Sequence, residues 1–138
     1  MKTIKVDHIG IAVKNISERL KLYRDFLGLK IAEEEEIPNR GIRICMLEVG
    51  DSRIELLESI CQDSEISKFI EKKGEGIHHI AFEVKDIENA AQFAKENELR
   101  PLSETPQSGA GNSKVLFLHP KTAGGVLIEL VQRKSKED

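Results

Sequence analysis

Apolar residues recur along the chain with two different periods, and these predict the secondary structure. In segments 4–13 and 77–84 they alternate with other residues, which is typical of β-strands that lie with one face on a core. In segment 16–27 they recur every three or four positions, which predicts an amphipathic helix. Asn15 precedes that helix and Glu18 follows three residues later, which is the spacing of a capping box. The pattern therefore predicts a domain that mixes strands and helices.

The chain repeats itself. At an offset of 71 residues, the segment from Asp7 (DHIGIAVKNI) aligns with the segment from His78 (HHIAFEVKDI), so that His8 falls on His79. After a loop three residues longer in the second half, IELL at 54–57 aligns with IELV at 128–131, so that Glu55 falls on Glu129. The repeat predicts one domain made of two tandem modules, about 1–73 and 74–138.

Each module is predicted to run strand, helix, strand, strand, strand. The predicted strands are 4–13, 29–34, 41–49 and 53–58 in the first module and 77–84, 99–104, 114–119 and 126–132 in the second, with helices at 16–27, 63–73 and 87–97. The fold class is therefore α+β, with both modules contributing to one curved mixed sheet and the helices on its convex side. The acidic run 33–36 is interpreted as a solvated strand end. The polar tail 134–138 is expected to fray.

Strand parity selects four side chains. Successive residues of a strand face opposite sides, so the apolar residues that pack on a helix define the second face as well. On that second face lie His8 and Glu55 of the first module and His79 and Glu129 of the second. His78 has the opposite parity and is assigned to the packing side.

Two imidazoles and two carboxylates form a donor set for a divalent metal ion. Taken singly, a histidine or glutamate on a strand is more often structural than a ligand. The repeat, however, places His on His and Glu on Glu at matching parity, which favours a shared metal site. Co²⁺ is the expected ion, and Mn²⁺, Ni²⁺ or Zn²⁺ would also suit the donors. His119, which precedes Pro120, is left between a structural role and substrate contact.

Composition narrows the class of protein. With 138 residues, 39% of them hydrophobic, the chain predicts a single globular domain. A net charge of −3 and the absence of Trp argue against nucleic-acid binding. No signal peptide or long apolar run is visible, which predicts a cytoplasmic protein without membrane contact. Cys45 and Cys61 lack metal-site spacing and are interpreted as free thiols.

Several segments resemble the vicinal oxygen chelate superfamily, which includes the glyoxalases, bleomycin resistance proteins and extradiol dioxygenases. These segments are DHIGIAV at 7–13, DSRIELLE at 51–58, GEGIHHIA at 74–81 and HPKTAGGVLIEL at 119–130. The doubled histidine and the last block are similar to those of the methylmalonyl-CoA epimerases. The resemblance covers the whole chain. In that family the metal ligands fall at the positions of His8, Glu55, His79 and Glu129, although some members have Gln at position 55.

The resemblance implies an isomerase of propionate metabolism that interconverts (R)- and (S)-methylmalonyl-CoA. The α-proton would be removed and returned through a metal-stabilised enolate, with a coenzyme A thioester as partner and a homodimer as assembly. Glu129 is the candidate base. Some family members carry a second acid/base glutamate in the third strand, where this chain has Ile44. The second proton donor is therefore left open between Glu48, a water molecule and an unidentified residue, and Lys121 is a candidate for coenzyme A contact.

Two alternatives use the same fold. A glyoxalase I-type lactoylglutathione lyase would employ the same four ligands. A non-catalytic small-molecule-binding member of the superfamily would need no metal. An iron extradiol dioxygenase needs two histidines and one carboxylate, so the fourth ligand argues against it.

Overall fold

The computed structural model describes residues 1–134, so the predicted fraying of the tail beyond Lys134 lies outside the described residues. The chain divides into two compact units. One consists of His8–His78, and the other combines Met1–Asp7 with the chain from His79 onward. Among the described residues, no helix is both long and apolar enough to cross a bilayer.

The unit His8–His78 contains the first βαβββ sequence of elements. Its hydrogen-bonded strand order is β2-β3-β4-β1, with β1 parallel to β4 and β3 antiparallel to both of its neighbours. The elements are β1 (Thr3–Val13, which begins in the other unit), α1 (Ile16–Leu20), β2 (Ile31–Ile37), β3 (Ile42–Val49), β4 (Ser52–Ser59) and α2 (Glu65–Lys73).

The core of this unit lies between α1 and one face of the strands. Ile16 and Leu20 of α1 pack against a buried cluster formed by Val13, Cys45, Leu47 and Leu56. Ile11 and Ile54 join the same cluster. The predicted packing faces of β1 and β4 are therefore confirmed, and the side chains of intervening residues lie on the opposite face.

The first helix differs from its prediction. The α-helical turns end at Leu20, and Lys21–Phe26 form a π-helix, in which Leu27 N–H donates to the Leu22 carbonyl at 2.9 Å. No residue of Lys21–Phe26 is buried. Tyr23 is partly buried and still packs against the core cluster of Ile16 and Leu20, so the wider turns lie at the margin of that core.

The second unit repeats the order strand, helix, strand, strand, strand, but its edge strand has only two residues. Its strand order is β5-β8-β7-β6, with β5 parallel to β8 and β7 antiparallel to both neighbours. The elements are β5 (Gly76–Val84, which begins in the first unit), α3 (Ile87–Glu96), β6 (Gln107–Ser108), β7 (Lys114–Leu118) and β8 (Ile128–Gln132). Ile87 and Ala90 of α3 pack on Val84, Leu116 and Leu130.

The predicted strand at 99–104 is wrong. That segment contributes one isolated bridge, Pro101 to Leu118, and the edge strand of the unit is the two-residue β6 instead. The His119 N–H donates to the Arg100 carbonyl and the Leu102 N–H to the Phe117 carbonyl, so the pairing with β7 is confined to the residues on either side of Pro101. Pro101 lies between these two bonds, at a position where no N–H is required.

Candidate active site

The first histidine–glutamate pair lies on the face opposite the helix in the unit His8–His78. In the pairing of β1 with β4, Gly10 lies across from Glu55, and His8 is two residues earlier on the same face. His8 Nε2 is 3.5 Å from Glu55 Oε1. His8 is 3% and Glu55 6% exposed, and the residue across from Glu55 on β3 is the buried Met46. The strand register therefore brings a buried imidazole next to a buried carboxylate.

The second pair has the same construction in the other unit. Ala81 lies across from Glu129 in the pairing of β5 with β8, and His79 is two residues earlier. His79 Nε2 is 3.0 Å from Glu129 Oε1, and the two residues are 2% and 5% exposed. Phe117 lies across from Glu129 on β7 and meets the His79 ring edge-on, with 5.6 Å between ring centroids.

The register confirms the repeat found in the sequence. Gly10 and Ala81, which lie across from the two glutamates, occupy equivalent positions of the repeat, as do Glu55 and Glu129. Each module therefore builds its histidine–glutamate pair with the equivalent strands and the same spacing. Burial of an imidazole or a carboxylate is costly unless the group is paired or coordinates a metal. His8 in one unit, and His79 and Glu129 in the other, are all buried, and each offers a ligand atom of a kind that binds metal ions. Their donor types fit a divalent transition metal.

Other sequence candidates have local roles. The ring of His78 meets Phe69 of α2 edge-on at 5.1 Å, with Lys73 above the Phe69 ring. His119 Nδ1 accepts a hydrogen bond from the Lys121 backbone N–H at 3.1 Å and so caps a short 3₁₀ turn. The Lys121 side chain is exposed. Cys61 is exposed, whereas Cys45 is buried on the helix face, where burial raises the pKa of its thiol to about 11.

Two residues of β3, Ile44 and Glu48, bear on the identity of the second proton donor. Ile44 and Glu48 lie on the same face as Glu55, because Ile44 is across from Leu57 and Glu48 across from Arg53. Ile44 is 1% exposed and Glu48 is exposed. On this face β3 itself thus carries an alkyl group at the enclosed position 44 and a carboxylate at the exposed position 48.

The interpretation of the acidic run 33–36 as a solvated strand end is wrong for half of its residues. Glu33 and Glu35 are partly buried on β2, whereas Glu34 and Glu36 are exposed. Alternation along β2 puts two of the four glutamates on each face. A β-bulge between Ile31 and Glu33 shifts the register against β3 and so decides which face each pair takes. Side-chain alternation in the sequence carries no signal of this bulge, so the sequence analysis did not find Glu35.

Comparison with known proteins agrees with this geometry. The family model of the glyoxalase/bleomycin resistance protein/dioxygenase superfamily matches residues 7–117. The ethylmalonyl-CoA/methylmalonyl-CoA epimerase of Cereibacter sphaeroides is 38% identical over 130 residues, which cover 93% of this chain and 97% of that protein.

Two solved structures have the same fold. A hypothetical protein from Bacillus halodurans superposes with a TM-score of 0.94 at 47% identity, covering 97% of both chains. A glutamate-to-leucine variant of the Streptomyces coelicolor methylmalonyl-CoA epimerase, in complex with 2-nitronate-propionyl-CoA, superposes with a TM-score of 0.91 at 35% identity, again covering 97% of both. The predicted fold class is confirmed. The chain therefore belongs to the glyoxalase/bleomycin resistance protein/dioxygenase superfamily, among relatives named methylmalonyl-CoA epimerases.

Proposed function

We propose that this protein is a metal-dependent methylmalonyl-CoA epimerase that interconverts the (R) and (S) forms of its substrate. The observation that carries the proposal is the pair of equivalent, buried histidine–glutamate couples, His8 with Glu55 and His79 with Glu129. Relatives with this activity in their names match more than nine-tenths of the chain. Isomerase chemistry at a carbon next to a thioester is therefore the activity that best unites fold, site and relatives.

The four residues are proposed to hold one divalent cation, with Co²⁺ as the first candidate and Mn²⁺, Ni²⁺ or Zn²⁺ as alternatives. Two neutral imidazole nitrogens and two carboxylates suit these ions. When bound, such an ion supplies Lewis-acid stabilisation of the negative charge that develops on the thioester oxygen, an effect worth several kcal/mol.

Glu129 is the proposed base. Its carboxylate would accept the α-proton as the C–H bond breaks, leaving the bonding electrons in the enolate, and a proton delivered to the opposite face would invert the carbon. The apolar side chains beside it, Phe117 and Ala81, exclude water from that carboxylate. Water exclusion strengthens electrostatic interactions at the reacting centre and protects the carbanionic species from competing protonation.

The proposal includes a coenzyme A thioester as partner, a homodimer as assembly and the cytoplasm as location. The first is supported by the thioester named in the relatives. The second and third come from the family resemblance and from the character of the sequence. Light scattering of the purified protein tests the dimer directly.

Solvent-deuterium exchange tests the activity. The Co²⁺-loaded protein is incubated in D₂O with each epimer of methylmalonyl-CoA in turn, and mass spectrometry follows deuterium at the α-carbon. The wild-type protein is expected to label and invert both epimers. Because Glu129 would serve as ligand and base together, Glu129→Gln is expected to abolish exchange from either epimer, whereas Glu18→Gln on the exposed surface of α1 retains it.

A parallel assay with the glutathione hemithioacetal of methylglyoxal covers the competing lyase. Turnover of that compound without exchange of methylmalonyl-CoA would replace the proposal by the lyase. Inertness towards both substrates, with metal bound, would replace it by a binding function.

A further inference from the structure

An epimerase needs a proton-transfer group on each side of the substrate carbon. The proposed function supplies Glu129 for one side. For the other side, the enclosed position of β3 on the face of Glu55 is Ile44, and an alkyl group moves no proton. The inference below rests on the proposed function and concerns the residue that takes over this second role.

The β-bulge in β2 turns a different carboxylate towards this position. Beyond the bulge Glu35 lies directly across from Ile44, and residues directly across from each other in an antiparallel pair share a face. That face also carries Met46 and, one strand further on, Glu55. Without the bulge, Glu35 would share the face of Ile31, which packs in the helix-side core. Bulges are frequent next to active sites, where they redirect a side chain.

One carboxyl oxygen of Glu35 is enclosed and has no hydrogen-bond partner among the described residues. That atom, Oε2, is shielded from solvent and makes no hydrogen bond within residues 1–134. An enclosed polar atom without a partner destabilises the fold, so its retention in a native protein calls for an explanation, and a catalytic role is one. A carboxyl oxygen that waits for a substrate proton provides one.

The other glutamates of the run are already engaged or point away. Glu33 shares the face of Glu35 but lies 3.5 Å from the Arg53 guanidinium. Glu36 lies on the other face and is 2.7 Å from the Arg43 guanidinium. Glu34 is exposed on that other face. Within the run, Glu35 therefore combines an enclosed position with an uncompensated carboxyl group.

We propose that Glu35 is the second acid/base residue of the epimerase and reaches over Ile44 to the substrate carbon. For one epimer, Glu129 accepts the α-proton while the C–H bond breaks, and the protonated Glu35 carboxyl gives its proton to the opposite face as the new C–H bond forms. For the other epimer the two carboxyls exchange roles. Each turnover leaves one carboxyl protonated and one ionised, so protons balance without an added reactant.

Glu48, the earlier candidate on β3, fits this role less well. It shares the face, but its side chain is exposed and sits next to the turn that follows Val49. A carboxylate in water is solvated and competes poorly with buried groups for a substrate proton in an enclosed site. Glu48→Gln therefore serves as an internal comparison.

The test uses Glu35→Gln, with Glu34→Gln as the matched control on the opposite face of the same strand. For Glu35→Gln we expect inversion to fall by about 10²-fold or more, in line with the loss of one general acid/base group. One epimer, the one whose proton faces Glu129, should still take up deuterium without inversion, and the other should not. Glu34→Gln and Glu48→Gln should invert both epimers at the wild-type rate. In the Glu35→Gln background, Ile44→Glu should restore part of the inversion.

Retention of full inversion by Glu35→Gln, with the wild-type protein active, would overturn the assignment of Glu35 and leave the proposed function intact. Loss of inversion in Glu48→Gln instead would move the role to Glu48. Equal loss of exchange from both epimers in Glu35→Gln would also contradict the assignment, because it indicates damage to the site as a whole. Failure of the proposed function is seen separately, as an inactive wild-type protein.

Discussion

At the scale of single residues, burial is what distinguishes His8 and His79, the proposed metal ligands, from the other two histidines. His79 is enclosed beside Glu129 and Phe117, whereas its neighbour His78 turns to the opposite face and meets Phe69. The two adjacent imidazoles thus have the same chemistry and different surroundings. This contrast allows the metal proposal to be tested by comparing two substitutions one position apart.

His79→Ala is expected to lower Co²⁺ affinity by about 100-fold or more, since even residues that only orient a ligand contribute 10–100-fold. His78→Ala should bind Co²⁺ like the wild-type protein, because its ring packs on α2. Isothermal titration calorimetry of the metal-free protein measures both. The reverse result would mean that the metal lies on the other face of β5.

At the scale of elements, both modules have an equivalent hydrogen bond between the start of the helix and the last strand. The Ile16 N–H at the start of α1 donates to Glu58 Oε1 at 2.6 Å, and the Ile87 N–H at the start of α3 donates to Gln132 Oε1 at 2.9 Å. Asn15 and Asp86 cap the same two helices. A side-chain oxygen at this strand position thus satisfies a backbone donor that the helix itself leaves unpaired.

The second module predicts the effect of substitutions in the first. Glu58→Gln keeps the oxygen acceptor and copies the residue at position 132, but it loses the ion pair with the exposed Arg43 side chain. An exposed ion pair contributes at most about 1 kcal/mol, so the free energy of unfolding should change by less than that. Glu58→Leu removes the acceptor and leaves the Ile16 N–H without this hydrogen bond, which should lower the free energy of unfolding by about 1–3 kcal/mol. Urea unfolding followed by circular dichroism measures both. Equal losses in the two variants would show that charge, not the acceptor, is what the helix requires.

At the scale of the whole molecule, the two ends of the chain meet within one unit. Asp7 and Arg133 are 126 residues apart and form a two-bond ion pair, with Arg133 Nε at 3.1 Å and its terminal nitrogen at 2.7 Å from the carboxylate. Arg133 also donates to the Ala110 carbonyl. Asp7 is only 5% exposed. This ion pair connects the first half of β1 to the residue that follows β8, in agreement with the grouping of Met1–Asp7 with the chain from His79 onward.

Removal of one partner of this ion pair should lower the free energy of unfolding more than removal of both partners. Arg133→Met leaves the Asp7 carboxylate buried without its bidentate partner and is expected to lower the free energy of unfolding by about 3–5 kcal/mol. Addition of Asp7→Leu to that variant should recover a large part of the loss, because the buried negative charge is gone. A double-mutant cycle by urea unfolding checks this expectation. Additive losses would show that the ion pair does not couple these chain ends energetically.

The sequence by itself determined the repeat, the α+β class and the side chains that share a face. Alternation along a strand is a local property, so parity could pair His8 with Glu55 and His79 with Glu129 before any strand partner was known. The repeat then supplied the second copy as independent support.

Tertiary structure decided the features that depend on a partner strand. The bulge that redirects Glu35 is visible only in its register against β3. The segment predicted as a strand at 99–104 pairs with β7 at a single bridge, Pro101 to Leu118, which likewise depends on the partner strand. The tie between Asp7 and Arg133 likewise joins residues that no local pattern relates. Periodicity along the chain reports which way a side chain points, whereas its chemical role depends on the side chains that folding brings beside it.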